Sequence, residues 1–199
     1  MRVLIALLVC LIASSAAQAT IPSWERDALI ALYVSTEGWN WMYNSGWLGP
    51  VGTECTWHGI TCGPGELAVI GIDLSSIPGG NNLVGTLPPQ IGNFASLETL
   101  DLSGNVGLSG DIPPALWGLS SLEFLNLARN RLRGTLPENI GGMTSLQELE
   151  ITDNLISGHI PSVLGGLPAL QMLRLGDNSL SGQIPPELGG RVNLVSLDL

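Results

Sequence analysis

Residues 122–145 read LEFLNLARNRLRGTLPENIGGMTS, and residues 146–169 read LQELEITDNLISGHIPSVLGGLPA. The two segments share leucine or isoleucine at six fixed positions, together with one asparagine, one proline and three glycines. The same pattern starts at Leu97 and again at Leu170, so that successive units begin 25, 24 and 24 residues apart. A fixed period of this length predicts a solenoid of stacked repeats.

The repeats extend beyond these four units in both directions. An earlier, looser unit begins near Val69 and carries about four extra residues around Ile77 to Asn81. A further unit starts at Leu194 and reaches Leu199. The prediction is therefore about five and a half repeats over residues 69–199. Because Leu199 falls inside a predicted strand, we expect the sequence to be truncated, with the native chain continuing beyond it.

The physical chemistry of one unit predicts its conformation. The L-x-x-L-x-L start has the alternation of a strand, with leucines facing inward and variable residues facing outward. We expect the asparagine to be buried, with its side chain bonding backbone groups from coil to coil. The glycine allows a bend, and the proline favours an extended return segment over a long helix. One coil cannot bury its own leucines, whereas stacked coils can.

The composition excludes several functional classes. The net charge is −10, and all seven basic side chains are arginine. Nucleic acid and anionic lipid both need a basic binding surface, so we expect neither as a partner. A hydrophobic content of 45% argues against disorder despite the 26 glycines.

The first residues have the pattern of a secretory signal peptide. Met1 and Arg2 precede an apolar run from Val3 to Ala13, and Ala17-Gln18-Ala19 supplies the small residues of a cleavage site. We therefore assign residues 1–19 to a signal peptide and exclude them from the fold. No segment of residues 20–199 is apolar enough to span a membrane. The predicted location is secreted, or on the extracellular face of the plasma membrane.

Two cysteines remain after the predicted signal. Cys55 and Cys62 are an even number in an oxidising compartment, which favours a disulfide, with a pair of free thiols as the alternative. Between the signal and this pair, residues 25–32 read as a short amphipathic helix with Ser23 as a candidate N-cap. Seven of the ten aromatic residues precede residue 60. We expect them to cover the leucines of the first coil, although a sugar-binding platform is an alternative.

The repeat resembles the plant-type extracellular leucine-rich repeat over about 131 residues, and Cys55 to Cys62 match that family's cap motif C-x-W-x-G-I-x-C. Residues 20–66 accordingly resemble its N-terminal cap with one disulfide. The resemblance implies an α/β repeat fold: a right-handed solenoid with a concave parallel β-sheet and a helical N-terminal cap. It also implies recognition roles, in receptor ectodomains or in secreted inhibitors of cell-wall polygalacturonases.

Parallel stacking places equivalent outward residues of adjacent coils about 4.8 Å apart, in rows across the concave sheet. One row contains Phe124 and Met172 with Glu148 between them, and apolar residues exposed on a rigid sheet are anchor candidates. We also expect Arg129 to reach Asp153, and Glu150 to reach Arg174. The candidate binding residues for a protein or peptide ligand are Phe124, Arg129, Glu148, Glu150, Met172, Arg174 and Asp177.

The sequence favours recognition over catalysis. The like-charged pairs Asp73–Asp101 and Asp153–Asp177 have the spacing of a retaining glycosidase, but an open face would neither exclude water nor raise one pKa. His58 and His159 are far apart and expected to be solvated, so no metal site or cofactor is expected. The prediction is the non-catalytic N-terminal part of a receptor-like protein, with a co-receptor as a further partner and a kinase domain compatible with the region beyond residue 199. The alternative is a free secreted binder or inhibitor of a cell-wall-degrading enzyme. Ice binding would need a regular outer row of threonine or asparagine, and none is readable.

Overall fold

The computed structural model describes residues 20–75, 80–190 and 193–199. The predicted signal peptide at residues 1–19 lies outside the described residues, as does Ile77 of the predicted insertion. Helix α1 spans Ser23–Ser35 and helix α2 spans Pro186–Gly189. The strands are β1 Ile60–Cys62, β2 Val69–Asp73, β3 Val84–Thr86, β4 Thr99–Asp101, β5 Gly107–Asp111, β6 Phe124–Asn126, β7 Arg131–Thr135, β8 Glu148–Glu150, β9 Leu155–Gly158, β10 Met172–Arg174, β11 Ser179–Leu180 and β12 Ser196–Asp198.

The strands form two sheets. The main sheet has seven strands in the order β1-β2-β4-β6-β8-β10-β12, and the second sheet has five in the order β11-β9-β7-β5-β3. Strand β1 is antiparallel to β2, and the repeat strands pair in parallel in both sheets. A short 3-10 helix closes each central coil: Pro89–Asn93, Pro114–Gly118, Glu138–Gly142 and Ser162–Gly166. The predicted α/β leucine-rich repeat solenoid is confirmed, and the main sheet is the one predicted to be concave.

The core lies between the two sheets and the 3-10 helices. In the main sheet Leu100, Leu125, Leu149 and Leu173 are aligned in register, and each is 0% exposed. Each of these side chains contributes roughly 2 kcal/mol by burial. Because every leucine contacts its equivalents in the coils above and below, this stabilisation belongs to the stack rather than to a single repeat.

A ladder of buried asparagines joins the coils, as predicted. The Nδ2 of Asn154 donates to its own coil at Ile151 O (3.2 Å) and to the preceding coil at Leu127 O (2.9 Å). Its Oδ1 accepts a bond from the backbone N–H of Leu132, at 2.9 Å. Asn178 makes the equivalent bonds one coil later. Each asparagine therefore satisfies backbone groups that the turn leaves open in two successive coils.

The ladder is interrupted at the repeat that has 25 residues. In the regular coils, the backbone N–H two residues after each ladder asparagine donates to the Oδ1 of the asparagine in the following coil. The extra residue at Val106–Gly107 changes this pattern, because the Leu108 N–H bonds the carbonyl of Asn105 instead, at 2.8 Å. Within the described residues, Asn130 Oδ1 is left without a hydrogen-bond partner, although Asn130 is only 7% exposed.

Deleting Val106 should repair the ladder. The Val106 side chain is 63% exposed, so its removal takes little from the core, and Leu108 then occupies the position of the donor. We expect the free energy of unfolding to rise by about 1 kcal/mol, the net value of one buried hydrogen bond. Urea denaturation of the variant and the parent chain measures this. An unchanged or lower stability would show that the extra residue is better accommodated than the orphaned oxygen indicates.

The N-terminal cap covers the first coil with aromatic side chains. Tyr33, Trp41, Trp47 and Trp57 are buried, and Trp47 lies 4.9 Å from Trp41 and 5.1 Å from Trp57 between ring centroids. This confirms the covering role for these four rings. For three other cap aromatics the expectation is wrong, since they remain largely exposed: Trp24, Trp39 and Tyr43.

Helix α1 is fixed to the cap by a buried ion pair. Arg26 pairs with Glu54, donates to Gly49 O at 2.7 Å, and lies 5.2 Å above the ring of Trp57. Glu54 is 1% exposed and also accepts a bond from the Gly52 N–H. The predicted N-cap role of Ser23 is wrong. Ser23 is the first helical residue, Pro22 precedes it, and no side chain caps the helix.

The predicted disulfide between Cys55 and Cys62 is formed. It connects the 3-10 helix Glu54–Thr56 to strand β1, which pairs with β2 at the edge of the main sheet. The disulfide therefore fixes this 3-10 helix to the strand through which the cap pairs with the first strand of the repeats. The ion pair of Glu54 is anchored next to the same bridge.

Replacing Arg26 with methionine should destabilise the cap strongly. The substitution leaves the Glu54 carboxylate buried without its partner, which costs about 3–5 kcal/mol. Thermal and urea unfolding measure the loss. Arg133→Met is the matched control, because the Arg133–Asp111 pair is 69% and 72% exposed and its loss should change stability by less than about 0.5 kcal/mol. A loss below about 1 kcal/mol for Arg26→Met would contradict the structural role of the buried pair.

Candidate functional site

The outward residues of the main sheet form the two rows that the repeat pattern predicts. Strand pairing aligns Phe124 with Glu148, and Glu148 with Met172. The neighbouring row aligns Glu150 with Arg174 in the same way. Five of the seven predicted binding residues therefore lie side by side on strands β6, β8 and β10.

Arg174 is held between two carboxylates. Its Nη1 lies 3.0 Å from Glu150 Oε2 and 3.8 Å from Glu148 Oε1. The predicted Glu150–Arg174 pair is thus confirmed, with Glu148 as a second partner. All three side chains are partly shielded from water, with exposed fractions of 36%, 21% and 25% for Arg174, Glu150 and Glu148. Partial burial and two partners restrict the guanidinium more than a fully exposed pair would.

The apolar members of this group are less exposed than predicted. Phe124 and Met172 are both half-buried, and strand pairing aligns them with Thr99 and Ser196 respectively. Each still presents part of its surface outward, on either side of Glu148. The arrangement offers two apolar surfaces around a fixed charged centre.

Arg129 and Asp177 lie outside this group. Both are exposed and both occupy the left-handed turn that follows a main-sheet strand, with φ of 57° and 52°. The predicted ion pair between Arg129 and Asp153 is not formed: among the residues that the structure describes, Arg129 makes no ion pair. The rows predicted from the sequence count these two turn positions as strand positions. In the structure the strands end earlier, at Asn126 and Arg174.

Carboxylates are frequent in the second row of outward residues, and they affect one another's pKa. The row consists of Asp73, Asp101, Asn126, Glu150, Arg174 and Asp198. Burial raises the pKa of Asp101, against the hydrogen bond from Ser103, and the charges of Asp73 and Glu150 raise it further. Burial likewise raises the pKa of Glu148, with Glu150 adding to the effect and Arg174 opposing it. Ionisation of Asp101 and Glu148 is therefore unfavourable in the unbound protein. A cationic group placed over these carboxylates would reduce their mutual repulsion.

A cleft beside the cap was not anticipated. It has a volume of about 430 Å³ and is lined by His58, Thr61, Asp73 and Ser75, among others. His58 is half-buried, with its ring 5.4 Å from Tyr43, and it lines this cleft, whereas His159 is exposed as expected. The cap motif places His58 directly before β1, but only the antiparallel β1–β2 pairing brings it to Asp73.

No group of three or more histidine, cysteine or acidic side chains is arranged to hold a metal ion within residues 20–75, 80–190 and 193–199. Over the same ranges, none of the helices has the length and apolar character needed to cross a bilayer.

Comparison with known proteins decides the family. Residues 79–132 and 129–180 match the family model for the leucine rich repeat. The chain belongs to the leucine-rich repeat family. The LRR receptor-like serine/threonine-protein kinase SIK1 of Oryza sativa subsp. japonica is 39% identical to it over 52 residues. This match covers 26% of the chain and 5% of SIK1, so the leucine-rich repeat chain corresponds to a small part of that relative.

Solved structures share the same solenoid. The ectodomain of the plant membrane receptor kinase GASSHO1/SCHENGEN3 from Arabidopsis thaliana, in complex with CASPARIAN STRIP INTEGRITY FACTOR 2, has a TM-score of 0.75 and 36% identity, covering 87% of this chain and 20% of that one. The BIR3–SERK2 complex of the same plant gives 0.69 and 33%, covering 85% and 92%. A plant ice-binding protein gives 0.76 and 27%, covering 85% and 53%.

The raised pKa of Asp101 predicts a pH-dependent effect of removing its charge. A carboxyl with a raised pKa in the folded state disfavours folding when ionised, and this penalty vanishes as pH falls below its ordinary value of 3.8. Asp101→Asn should therefore raise the free energy of unfolding at pH 7, and the gain should disappear near pH 3.8. Urea denaturation at both pH values measures it.

The next coil supplies the matched control. Asn126 occupies the equivalent position and accepts the Ala128 N–H at 3.0 Å, so an amide can replace the carboxylate there. The reverse change, Asn126→Asp, should lower stability at neutral pH by adding a carboxylate between Asp101 and Glu150. Equal gains for Asp101→Asn at both pH values would contradict the electrostatic explanation.

Proposed function

We propose that this chain is a non-catalytic recognition module of an extracellular receptor-like protein, and that it binds a protein or peptide on the outward face of the main sheet. One observation carries the proposal: Arg174 is fixed between Glu148 and Glu150, and the half-buried Phe124 and Met172 lie on either side of Glu148. A rigid group of this composition binds with little loss of side-chain entropy, because its geometry exists before the ligand arrives.

The chemistry of the face defines the ligand. The apolar surfaces of Phe124 and Met172 suit an aliphatic or aromatic side chain, which anchors an interface more strongly than peripheral charges do. The carboxylates around Asp101 suit a basic group, since a nearby cation stabilises the ionised carboxyls. We therefore expect a peptide segment that combines a large apolar residue with lysine or arginine.

The receptor role is favoured by the relatives. The GASSHO1/SCHENGEN3 structure is the ectodomain of a membrane receptor kinase in complex with CASPARIAN STRIP INTEGRITY FACTOR 2, and SIK1 is a receptor-like kinase. By analogy, the proposed location is the extracellular face of the plasma membrane, with signalling carried by other segments of the whole protein and a co-receptor as a further partner. The alternative to the receptor role is a free secreted binder, such as an inhibitor of a cell-wall-degrading enzyme. It would use the same face of the main sheet.

Ice binding is not proposed despite the similar fold of the plant ice-binding protein. A regular row of one small polar residue type is the feature that such a surface would need. The residues that follow the turn glycines of the second sheet are instead Thr86, Asp111, Thr135, His159 and Gln183. Charged and bulky side chains interrupt the row, so the chain presents no uniform polar lattice there.

Random peptides displayed on phage, selected on the wild-type chain, supply the probe. Peptides that bind should lose affinity by about tenfold or more on Phe124→Ala and on Arg174→Glu, because interface anchors contribute on the order of 2 kcal/mol. Bio-layer interferometry measures the affinities, and circular dichroism verifies that both variants remain folded.

Leu155→Ala is the matched control, since Leu155 is 57% exposed but lies on the second sheet. Its affinity for the selected peptides should equal that of the wild type. Unchanged affinity of every selected peptide for both Phe124→Ala and Arg174→Glu would refute the main sheet as the binding face.

A further inference from the structure

Three of the chain's seven arginines lie within five residues, in a protein whose net charge is −10. Arg129, Arg131 and Arg133, here called the arginine stripe, run from the margin of the main sheet onto strand β7 of the second sheet. All three are exposed. The stripe is thus a local basic surface on an acidic molecule. Arg131 and Arg133 lie on a different sheet from the Phe124–Arg174 group.

The stripe is only weakly neutralised by the protein itself. Arg133 donates to Asp111 at 3.1 Å, in a pair that is open to water on both sides. In the described parts of the chain, Arg129 and Arg131 form no ion pair. The adjacent coil places Leu155 next to Arg133, and its Asp153 is acidic but forms no ion pair with Arg129. Most of the guanidinium donors therefore remain available to a partner.

Arg129 occupies a backbone position that disfavours it. Its φ is 57°, in the left-handed region, where glycine, asparagine and aspartate are the usual residues. The equivalent positions of the other coils follow this preference, with Gly80, Gly104, Asp153 and Asp177. An arginine at a position that favours smaller residues indicates a role for its side chain rather than for the turn.

A groove continues the stripe. It has a volume of about 300 Å³ and begins at the Arg133–Asp111 pair, and its accessible apolar lining is Pro114 and Pro137, with the buried Ile112 and Trp117 beneath them. The groove lies where β5 and β7 lead into the 3-10 helices of their coils. An occupant therefore meets the Arg133 guanidinium with its Asp111 partner at one end and the two proline rings at the other.

We propose that the arginine stripe and this groove form a second binding surface, for an acidic, extended peptide segment of a protein partner. Arg131 and Arg133 are two residues apart on one strand, so they project from the same face about 6.6 Å apart. Alternate side chains of an extended peptide have the same spacing, which allows two carboxylates to engage both guanidinium groups. An apolar side chain of the peptide enters the groove.

The composition of the groove favours a peptide over a polyuronate glycan. Both carry carboxylates, but a polyuronate has no apolar side chain to place against Pro114 and Pro137. The surface goes beyond the proposed function, because it lies on the second sheet and shares no residue with the Phe124–Arg174 group.

The probe is a fluorescein-labelled synthetic peptide, Leu-Ser-Glu-Ser-Glu-Ser-Leu, whose apolar ends suit either chain direction. Fluorescence anisotropy at low ionic strength gives its affinity, and the same peptide with glutamine for glutamate should bind at least about tenfold more weakly. The double variant Arg131→Gln/Arg133→Gln should lose about tenfold or more in affinity for the glutamate peptide. The matched control Arg174→Gln, on the main sheet, should change it by less than about twofold.

Arg129→Asn separates binding from folding. Asparagine suits the left-handed turn, so the midpoint of thermal unfolding should rise by about 2 °C. The affinity for the glutamate peptide should fall by about threefold, because one guanidinium is lost. A variant that is more stable yet binds less well excludes damage to the fold as the cause.

Three results would overturn the proposal. The first is equal affinity of the wild type and the Arg131→Gln/Arg133→Gln variant, or no binding of the glutamate peptide by either. The second is an equal loss on Arg174→Gln, which would place the peptide on the main sheet. The third is arginine-dependent binding of polygalacturonate in place of the peptide. Phe124→Ala, which tests the proposed function, should leave this affinity unchanged, so that the two proposals fail separately.

Discussion

A coil of about 24 residues exposes its leucines unless another coil lies against them, and the whole molecule depends on that constraint. Leu125 and Leu149 are fully buried because each is covered by the next coil, and the asparagines join the backbones of the same coils. The first coil has no preceding coil, so the cap takes that place with a cluster of buried aromatic rings. The buried Arg26–Glu54 pair and the disulfide then hold the cap in position.

A regular backbone turns the outward residues into a surface that varies independently of the fold. The inward positions are occupied by leucine and isoleucine in coil after coil, whereas the outward positions on β6, β8 and β10 change from phenylalanine to glutamate to methionine. Departures from regularity are correspondingly informative. Val106 interrupts the asparagine ladder, and Arg129 occupies a left-handed turn where other coils have glycine or aspartate.

The two sheets also separate charge. Carboxylates dominate the second row of the main sheet, where burial and mutual repulsion raise the pKa of Asp101, while the arginine stripe lies on the other sheet. The solenoid makes this possible because each coil contributes one strand to each sheet, so that residues a few positions apart face different directions. One chain of negative net charge therefore carries a row rich in carboxylates on the main sheet and Arg131 and Arg133 on the second sheet.

The sequence by itself determined the repeat, the solenoid, the strand rows and the Glu150–Arg174 pair, because period and alternation dictate which residues stack. Cysteine counting predicted the Cys55–Cys62 bridge, because the two cysteines that follow the predicted signal peptide allow a single pairing. The tertiary structure decided what local patterns do not specify: Pro22 rather than Ser23 precedes α1, Phe124 is half-buried, and Arg129 does not reach Asp153. It also decided that Asn130 Oδ1 lacks a donor. These outcomes depend on the direction of the backbone at turns and on contacts between coils, which a linear pattern does not contain.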